Sequence, residues 1–375
     1  MPEDGAVNAA PSLGRRRLIL HIGTDKTGST TLQRFFFAHR QALSERGILY
    51  PQSPQPIDWK HEYLSRSLNR HRHNDNGSER MTLDDLAGVI RQAPEDVILL
   101  SAESFRMLSH QPAALDEIQR FAQRLSLETD VVVFVRPQPS LLNARYAQWT
   151  KALRQSLRFV QWLDETLQSR APTSHYVEQL CHWDRSPHMR LCPIPFVRDV
   201  LAPNLETVFF GRVGLRERVA PLLEQFAGGH WNASPGPLTI EACRRVASLL
   251  RGARGEVTAE TYNLLRRRLR WLGRQREPDS RPFMGLDDAL RDRINEHFAE
   301  GNQAFARRWW SADWRDLFAA DLERKLVRNE YDAAIAARED SAAVAELVAE
   351  ALAAAGLRIS PAEVAAAGRP DIIRR

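Results

Sequence analysis

A short segment near the amino end of the chain carries the residue types that bind anions. The apolar run Leu18–Ile22 leads into Gly23 and Gly28, and a helical pattern begins near Ser29. N–H groups at a helix start point at a ligand, the helix dipole favours negative charge, and glycine lets a ligand approach the backbone. The amine and hydroxyl side chains that add donors are those of Lys26, Thr27, Ser29, Thr30 and Thr31. The segment predicts a phosphate-binding loop whose usual occupant is a nucleotide.

The position of the lysine bears on which nucleotide is bound. In nucleoside triphosphatases the lysine follows the second glycine of the pattern G-x-x-x-x-G-K-[ST]. Here Gly23 and Gly28 keep the glycine spacing, but Ser29 takes the lysine position and Lys26 precedes Gly28. A nucleotide kinase of P-loop type therefore stays an alternative, although the lysine that its motif requires is displaced.

A second anion-binding residue is expected where another buried strand ends. The run Val131–Val135 is continuously apolar, which is typical of a strand buried on both faces, and Arg136 follows it. Arginine binds phosphate through two parallel N–H bonds and does not lose its charge. Apolar residues then recur at helical spacing from Leu141 to Trp149.

Both segments resemble the nucleotide-binding motifs of one superfamily. The string Lys26–Thr31 resembles the loop K-[ST]-G-[ST]-[ST] of sulfotransferases that use 3'-phosphoadenosine-5'-phosphosulfate (PAPS), and the strand that ends at Arg136 resembles their 3'-phosphate segment. The resemblance implies that Lys26 contacts the sulfate being transferred and that Arg136 holds the 3'-phosphate. It further implies a grip on the 5'-phosphosulfate by Thr27, Gly28, Ser29, Thr30 and Thr31.

One position departs from the family pattern. The serine that the family carries on the helix after the arginine falls at Ala144 here. Asn143 or Ser140 is the residue expected to donate to the 3'-phosphate in its place, unless the nucleotide is held more weakly.

Weaker similarities to bacterial-type members follow in the family order. They include Arg46–Pro51, Ile98–Phe105 and His61, and the resemblance covers residues 17–320. Members place a histidine or glutamate base after the second strand, so we rank His61 first as the base and Glu103 second. An ordinary pKa near neutrality suits histidine for this task.

Strand and helix patterns alternate along the chain. Strands are predicted at Leu18–Ile22, Gly47–Tyr50, Val97–Ser101 and Val131–Arg136, and helices at Ser29–Arg46, Leu83–Gln92, Pro112–Leu125 and Ser140–Leu153. The alternation predicts a three-layer α/β fold in which a central parallel sheet is flanked by helices and ligands bind at the carboxyl ends of the strands. The predicted domains are a disordered start at 1–16, an α/β domain at 17–320 and a helical C-terminal tail at 321–375. That tail packs on the domain or pairs with a second copy.

Composition narrows the class of protein. The chain has 375 residues, a net charge of +5 and 3 cysteines, too few and too irregularly spaced for a disulfide framework. No signal peptide, membrane span, metal-ligand spacing or nucleic-acid module is evident, so we expect a cytoplasmic protein without a metal site. Arginines crowd the stretch 244–276, either as a solvated helix face or as an attraction for an anionic acceptor.

The expected function is transfer of a sulfuryl group from PAPS to a hydroxyl group on a carbohydrate or glycolipid. A P-loop-type kinase and a catalytically inactive nucleotide-binding scaffold remain the alternatives, and Ala144 favours the scaffold.

Overall fold

The computed structural model describes most of the chain. The described residues are 16–24, 27–52, 59–68, 81–169, 174–184, 188–197, 201, 204–225, 234–252, 257–276, 281–332, 336 and 338–357. The predicted site residue Lys26 lies outside them, as do residues 1–15 and 358–375 at the two ends.

The elements alternate as the patterns predict. The strands are β1 (Arg17–His21), β2 (Ile48–Leu49), β3 (Val97–Ser101), β4 (Glu128–Val135) and β5 (Met189–Pro195). The helices up to β5 are α1 (Ser29–Ala38), α2 (Arg40–Ser44), α3 (Glu62–Leu68), α4 (Leu83–Gln92), α5 (Pro112–Arg124), α6 (Gln138–Lys151), α7 (Phe159–Gln168) and α8 (Tyr176–Leu180). Two 3-10 helices span Glu103–His110 and Cys181–Asp184. After β5 follow α9 (Leu205–Arg212), α10 (Arg216–Gln225), α11 (Pro237–Gly252), α12 (Ala259–Arg276), α13 (Asp288–Trp310), α14 (Trp314–Leu317), α15 (Ala319–Leu322) and α16 (Arg338–Ala354).

The five strands form one parallel sheet in the order β2-β3-β1-β4-β5. The strands next to the centre are apolar because both of their faces are covered. On one face Ile19, Val132 and Phe134 pack with aromatic residues of α1 and α9. On the other face α5 contacts β4. The predicted α/β fold with a central parallel sheet is confirmed at this level.

The winding of the chain reverses direction within the sheet, beside β1. The chain leaves β1 toward β2 on one side of the sheet, whereas β4 and β5 lie on the other side of β1. Ligands of open parallel sheets bind where the direction of winding reverses, outside the carboxyl ends of the strands. In this sheet that place lies between β1 and β4, the two strands that precede the predicted loop and Arg136.

The chain groups into two compact units. The first contains Met1–Arg136, Pro172–Gly229 and Gly301–Leu317, and the second contains Pro137–Ala171, His230–Glu300 and Phe318–Arg375. This grouping follows tertiary contacts, and the predicted boundary at residue 320 follows a change in composition. In the second unit α16 packs on α11 and α12 through Leu347, Val348 and Ala351. Among the described helices, none combines the length and the apolar character needed to cross a membrane.

Candidate functional site

Hydroxyl groups fix the shape of the loop between β1 and α1. Thr24 Oγ1 donates to the carbonyl of Phe134 on β4 (2.6 Å), and Thr27 Oγ1 donates to the carbonyl of Thr24 (2.9 Å). Gly28 adopts a left-handed conformation with φ 76°, which side-chain-bearing residues rarely adopt. The hydroxyl of Thr27 therefore serves the loop itself, and the described ends of the loop have a defined geometry.

The first turn of α1 itself offers no side-chain carboxylate to its free N–H groups. Gly28 is the N-cap residue and supplies no side-chain acceptor, and the first turn holds no acidic residue. Ser29 is 2% exposed, and its hydroxyl has no hydrogen-bond partner among the described residues. A buried hydroxyl without a protein partner costs free energy unless a ligand or water completes it. Thr30 and Thr31 are half-buried on the same turn.

Gly23 brings the loop and β3 together. A Cβ atom on Gly23 would lie 2.6 Å from Ser29 Oγ and 3.1 Å from Glu103 Cγ. Glu103, the first residue of the 3-10 helix after β3, thus stands beside the same backbone position as Ser29. The structure gathers these three residues at the carboxyl edge of the sheet, and only glycine leaves room between the two side chains.

The start of α9 covers the other side of the loop. A Cβ atom on Gly28 would lie 2.4 Å from Leu205 Cδ2. Leu205 is the first residue of α9 and packs against the apolar cluster beneath α1. The close approach of Leu205 gives Gly28 a steric reason to be glycine in addition to its backbone conformation.

Arg136 occupies the position after β4 that the sequence indicates. Tyr176 Oη donates to its carbonyl (2.6 Å), and its guanidinium lies over the ring of Phe196, 5.6 Å from the centroid. Both contacts position the residue at the carboxyl end of β4, the strand next to β1. Its role toward a 3'-phosphate stays a prediction.

The proposed substitutes for the family serine make bonds elsewhere. Asn143 Nδ2 donates to the carbonyl of Phe283 (3.2 Å), and Asn143 Oδ1 accepts from the N–H of Gly285 (2.8 Å). Ser140 Oγ donates to the carbonyl of Pro137 (3.0 Å). Asn143 therefore fixes the segment 283–285, and a phosphate would have to displace one of these bonds.

His61 is part of a buried connection between two strand ends. It is 1% exposed, its Nδ1 accepts from the N–H of Ser101 (3.0 Å), and its Nε2 donates to the carbonyl of Pro51 (3.1 Å). Both ring nitrogens are occupied, so the ring has no lone pair for a substrate proton in this conformation. The base role of His61 stays a prediction.

His21 was not singled out from the sequence, although it ends β1 at the site. Its Nδ1 lies 2.7 Å from Ser101 Oγ, which also accepts from Gln33 Nε2 (3.1 Å). Its Nε2 has no partner among the described residues. The available signal was a histidine at the end of an apolar strand, two residues before Gly23.

Burial makes both histidines sensitive to acid. It lowers the pKa of His21 to about 3 and that of His61 to about 4. In the unfolded chain both titrate near 6.5, so below that pH the unfolded state binds more protons. We predict that each histidine contributes stability that is present above pH ~6.5 and is lost at ~1.4 kcal/mol per pH unit as the pH falls toward the folded pKa.

Urea unfolding at pH 7, 6 and 5 measures this slope. His61→Gln removes one of the histidines whose pKa burial lowers, so the stability of the variant should fall less steeply below pH ~6.5, by up to ~1.4 kcal/mol per pH unit. An unchanged slope in that variant would show that His61 does not carry the effect.

Comparison with known proteins does not assign the chain to a family. No protein family, curated protein or solved structure gives a significant match to the chain. Within the described ranges, no three His, Cys, Asp or Glu side chains cluster so that they can hold a metal ion.

Proposed function

We propose that the chain is a sulfotransferase that moves a sulfuryl group from PAPS to an acceptor hydroxyl. The observation that carries this proposal is the buried, unpartnered hydroxyl of Ser29 at the uncapped start of α1. Beside it, Ser29 and Glu103 both pack so closely against Gly23 that a Cβ atom there would clash with Ser29. A helix N-terminus with a spare donor and no acidic residue fits a phosphate or sulfate group.

Different residues are assigned to the 5'-phosphosulfate and to the 3'-phosphate of this nucleotide. The N–H groups at the start of α1 and the hydroxyls of Ser29, Thr30 and Thr31 bind the 5'-phosphosulfate. Arg136 binds the 3'-phosphate, which ATP lacks. Lys26, assigned by the resemblance, neutralises the oxygen that bridges the sulfur and the departing phosphate.

Glu103 acts on the acceptor side. When bound, PAPS supplies the sulfuryl group: the bond from sulfur to the 5'-phosphate oxygen breaks as the bond to the acceptor oxygen forms. Glu103 accepts the proton of the acceptor hydroxyl, because its side chain stands beside Gly23 and Ser29. Positioning and charge stabilisation supply most of the catalysis in such in-line transfers.

An inactive nucleotide-binding scaffold is the second candidate. The bonds that Asn143 and Ser140 make to neighbouring backbone favour it, because they leave the 3'-phosphate without the donor that the family serine provides. Nucleotide binding without sulfuryl transfer to a panel of glycans would favour the scaffold over the enzyme.

Ser29→Ala tests the proposal. We predict that it lowers the affinity for 3'-phosphoadenosine-5'-phosphate about tenfold, the effect of one lost hydrogen bond to a charged group. Because the hydroxyl has no partner among the described residues, the free energy of unfolding should stay the same or rise by ~1 kcal/mol. Calorimetric titration and urea unfolding measure the two effects.

Ser109→Ala is the matched control. Ser109 is also buried, but its hydroxyl accepts from Trp183 Nε1 (2.8 Å) and donates to the carbonyl of Arg106 (2.7 Å). This variant should lose ~1 kcal/mol or more of stability and keep its nucleotide affinity. A Ser29→Ala variant that behaves like the control, destabilised with unchanged affinity, would contradict a ligand role for Ser29.

A further inference from the structure

One face of α12 groups exposed arginines around an exposed tryptophan. Trp271 is 52% exposed and Leu264 is 36% exposed. At about 100° per residue, Arg267, Arg270 and Arg274 fall within the same arc of the helix, and all three are exposed. We name this surface, together with Arg266 and Arg154, the α12 patch.

The opposite flank of α12 is neutralised by α16. Arg276 forms ion pairs with Glu346 and Glu350. Arg268 Nη2 lies 3.9 Å from Glu350, and the Arg268 guanidinium also lies over the Trp271 ring, 4.5 Å from its centroid. The arginines on this flank thus serve the packing of two helices within the second unit. Their ion pairs with α16 are the comparison for the arginines of the α12 patch.

The arginines of the α12 patch have no such partners. Among the described residues, none of Arg154, Arg266, Arg267, Arg270 and Arg274 lies within 4.0 Å of a carboxylate. Glu260, in the first turn, is the single acidic residue of α12. The two flanks of one helix therefore differ in whether their charge is neutralised.

A second element adds its charge to the patch. Tyr262 on α12 donates to the carbonyl of Leu153 (3.2 Å), which brings Arg154, the next residue, to the helix. Burial, and then repulsion from Arg270 and Arg154, lowers the pKa of Arg266. Unpaired like charges from two elements repel each other in the folded state, and a bound anion would relieve that repulsion.

The residue types in the patch indicate the kind of anion. The planar arginine fork binds carboxylate and sulfate groups through two bonds, and tryptophan offers an apolar ring next to them. An acidic sugar presents both kinds of surface. A lipid bilayer fits less well, because the apolar stripe Leu265, Leu269 and Leu272 is buried in the core and not available to insert.

We propose that the α12 patch binds an acidic polysaccharide. The inference rests on the proposed function, since an acidic polysaccharide is a carbohydrate with acceptor hydroxyls, and it concerns binding by the second unit alone. The patch holds carboxylate or sulfate groups of the polysaccharide through its arginines, and a sugar ring packs on the part of Trp271 that Arg268 leaves exposed.

The test measures binding of the full chain to a fluorescent polygalacturonate oligosaccharide at physiological salt. The variant Arg154→Gln/Arg267→Gln/Arg270→Gln should lose affinity about tenfold or more, because several charge contacts disappear together. The control Arg91→Gln/Arg120→Gln/Arg315→Gln removes the same charge from exposed arginines of the first unit and should bind like the parent. Trp271→Ala should weaken binding without any change in charge.

Several outcomes would overturn the proposal. Equal losses of affinity in the two triple variants would show that only the net charge of the protein matters. Unchanged affinity in the patch variant would show that the α12 patch does not bind the polysaccharide. Tighter binding to a single-stranded oligonucleotide or to anionic phospholipid vesicles would assign the patch to another partner. Titration with 3'-phosphoadenosine-5'-phosphate, run on the same samples, separates the two proposals. If the protein binds polygalacturonate but not this nucleotide, the proposed function is rejected and the proposal for the α12 patch is kept.

Discussion

Gly28→Ala should weaken nucleotide binding strongly and destabilise the fold. Gly28 has φ 76°, which costs a side-chain-bearing residue about 1 kcal/mol, and a Cβ atom there would lie 2.4 Å from Leu205 Cδ2. Leu205 packs against the apolar cluster, so either the loop or the start of α9 must move. We expect a loss of ~2–3 kcal/mol in unfolding free energy and at least ~100-fold in affinity for 3'-phosphoadenosine-5'-phosphate.

Gly214→Ala provides the matched control for this variant. Gly214 has φ 70°, and a Cβ atom there would meet nothing within 4 Å. It should cost ~1 kcal/mol through backbone conformation alone and leave nucleotide affinity unchanged. Urea unfolding and calorimetry on both variants separate the cost of the backbone conformation from the clash with Leu205. Equal nucleotide affinity in the two variants would contradict a role of Gly28 in nucleotide binding.

Glu103→Gln should reduce sulfuryl transfer by a factor of ~100 to 10,000, the range that positioned general bases contribute. Glutamine keeps the shape of the side chain next to Gly23 but has no basic oxygen at neutral pH. Binding of 3'-phosphoadenosine-5'-phosphate should stay within a few-fold of the parent, since the change affects the acceptor side. Turnover of labelled PAPS with an accepting glycan provides the measurement.

His61→Gln is the comparison for this prediction. Its amide keeps a donor toward Pro51, so it tests the other base candidate with limited damage to the fold. If Glu103→Gln keeps turnover within a few-fold while His61→Gln abolishes it at equal stability, the base is His61 and our assignment is reversed.

The apolar runs predicted the central strands because those strands are buried on both faces. The edge strand β5 was not predicted, since Pro193 and Pro195 interrupt its pattern. Prolines are tolerated there because their side of the strand faces away from β4: the carbonyl of Pro193 accepts from Trp310 Nε1 (3.1 Å). An edge position cannot be read from local sequence.

The convergence of the loop, Glu103 and Arg136 on one edge followed from the rule that parallel strands present their carboxyl ends together. The hydrogen-bond partners did not follow. Whether the nitrogens of His61 and the amide of Asn143 are free depends on Pro51, Ser101, Phe283 and Gly285, most of which lie far along the chain. Tertiary contacts of this kind decide between a catalytic and a supporting role.

The second unit was also beyond the reach of the sequence patterns. The helical character of 341–355 was recognisable, but its contacts with α11 and α12 depend on segments that are far apart in the chain. The contrast between paired and unpaired arginines of α12 rests on the same contacts. From the sequence alone, the arginine stretch was one undivided feature.

The most direct measurement is calorimetric titration of the full chain with 3'-phosphoadenosine-5'-phosphate beside ATP with Mg²⁺, repeated on Arg136→Gln. We predict that the parent prefers the bisphosphate nucleotide and that the variant loses ~10- to 100-fold in affinity for it, the effect of a lost bidentate charge contact. Binding of ATP with Mg²⁺ should change little in the variant. A preference for ATP in the parent, or binding of neither nucleotide, would contradict the proposed function.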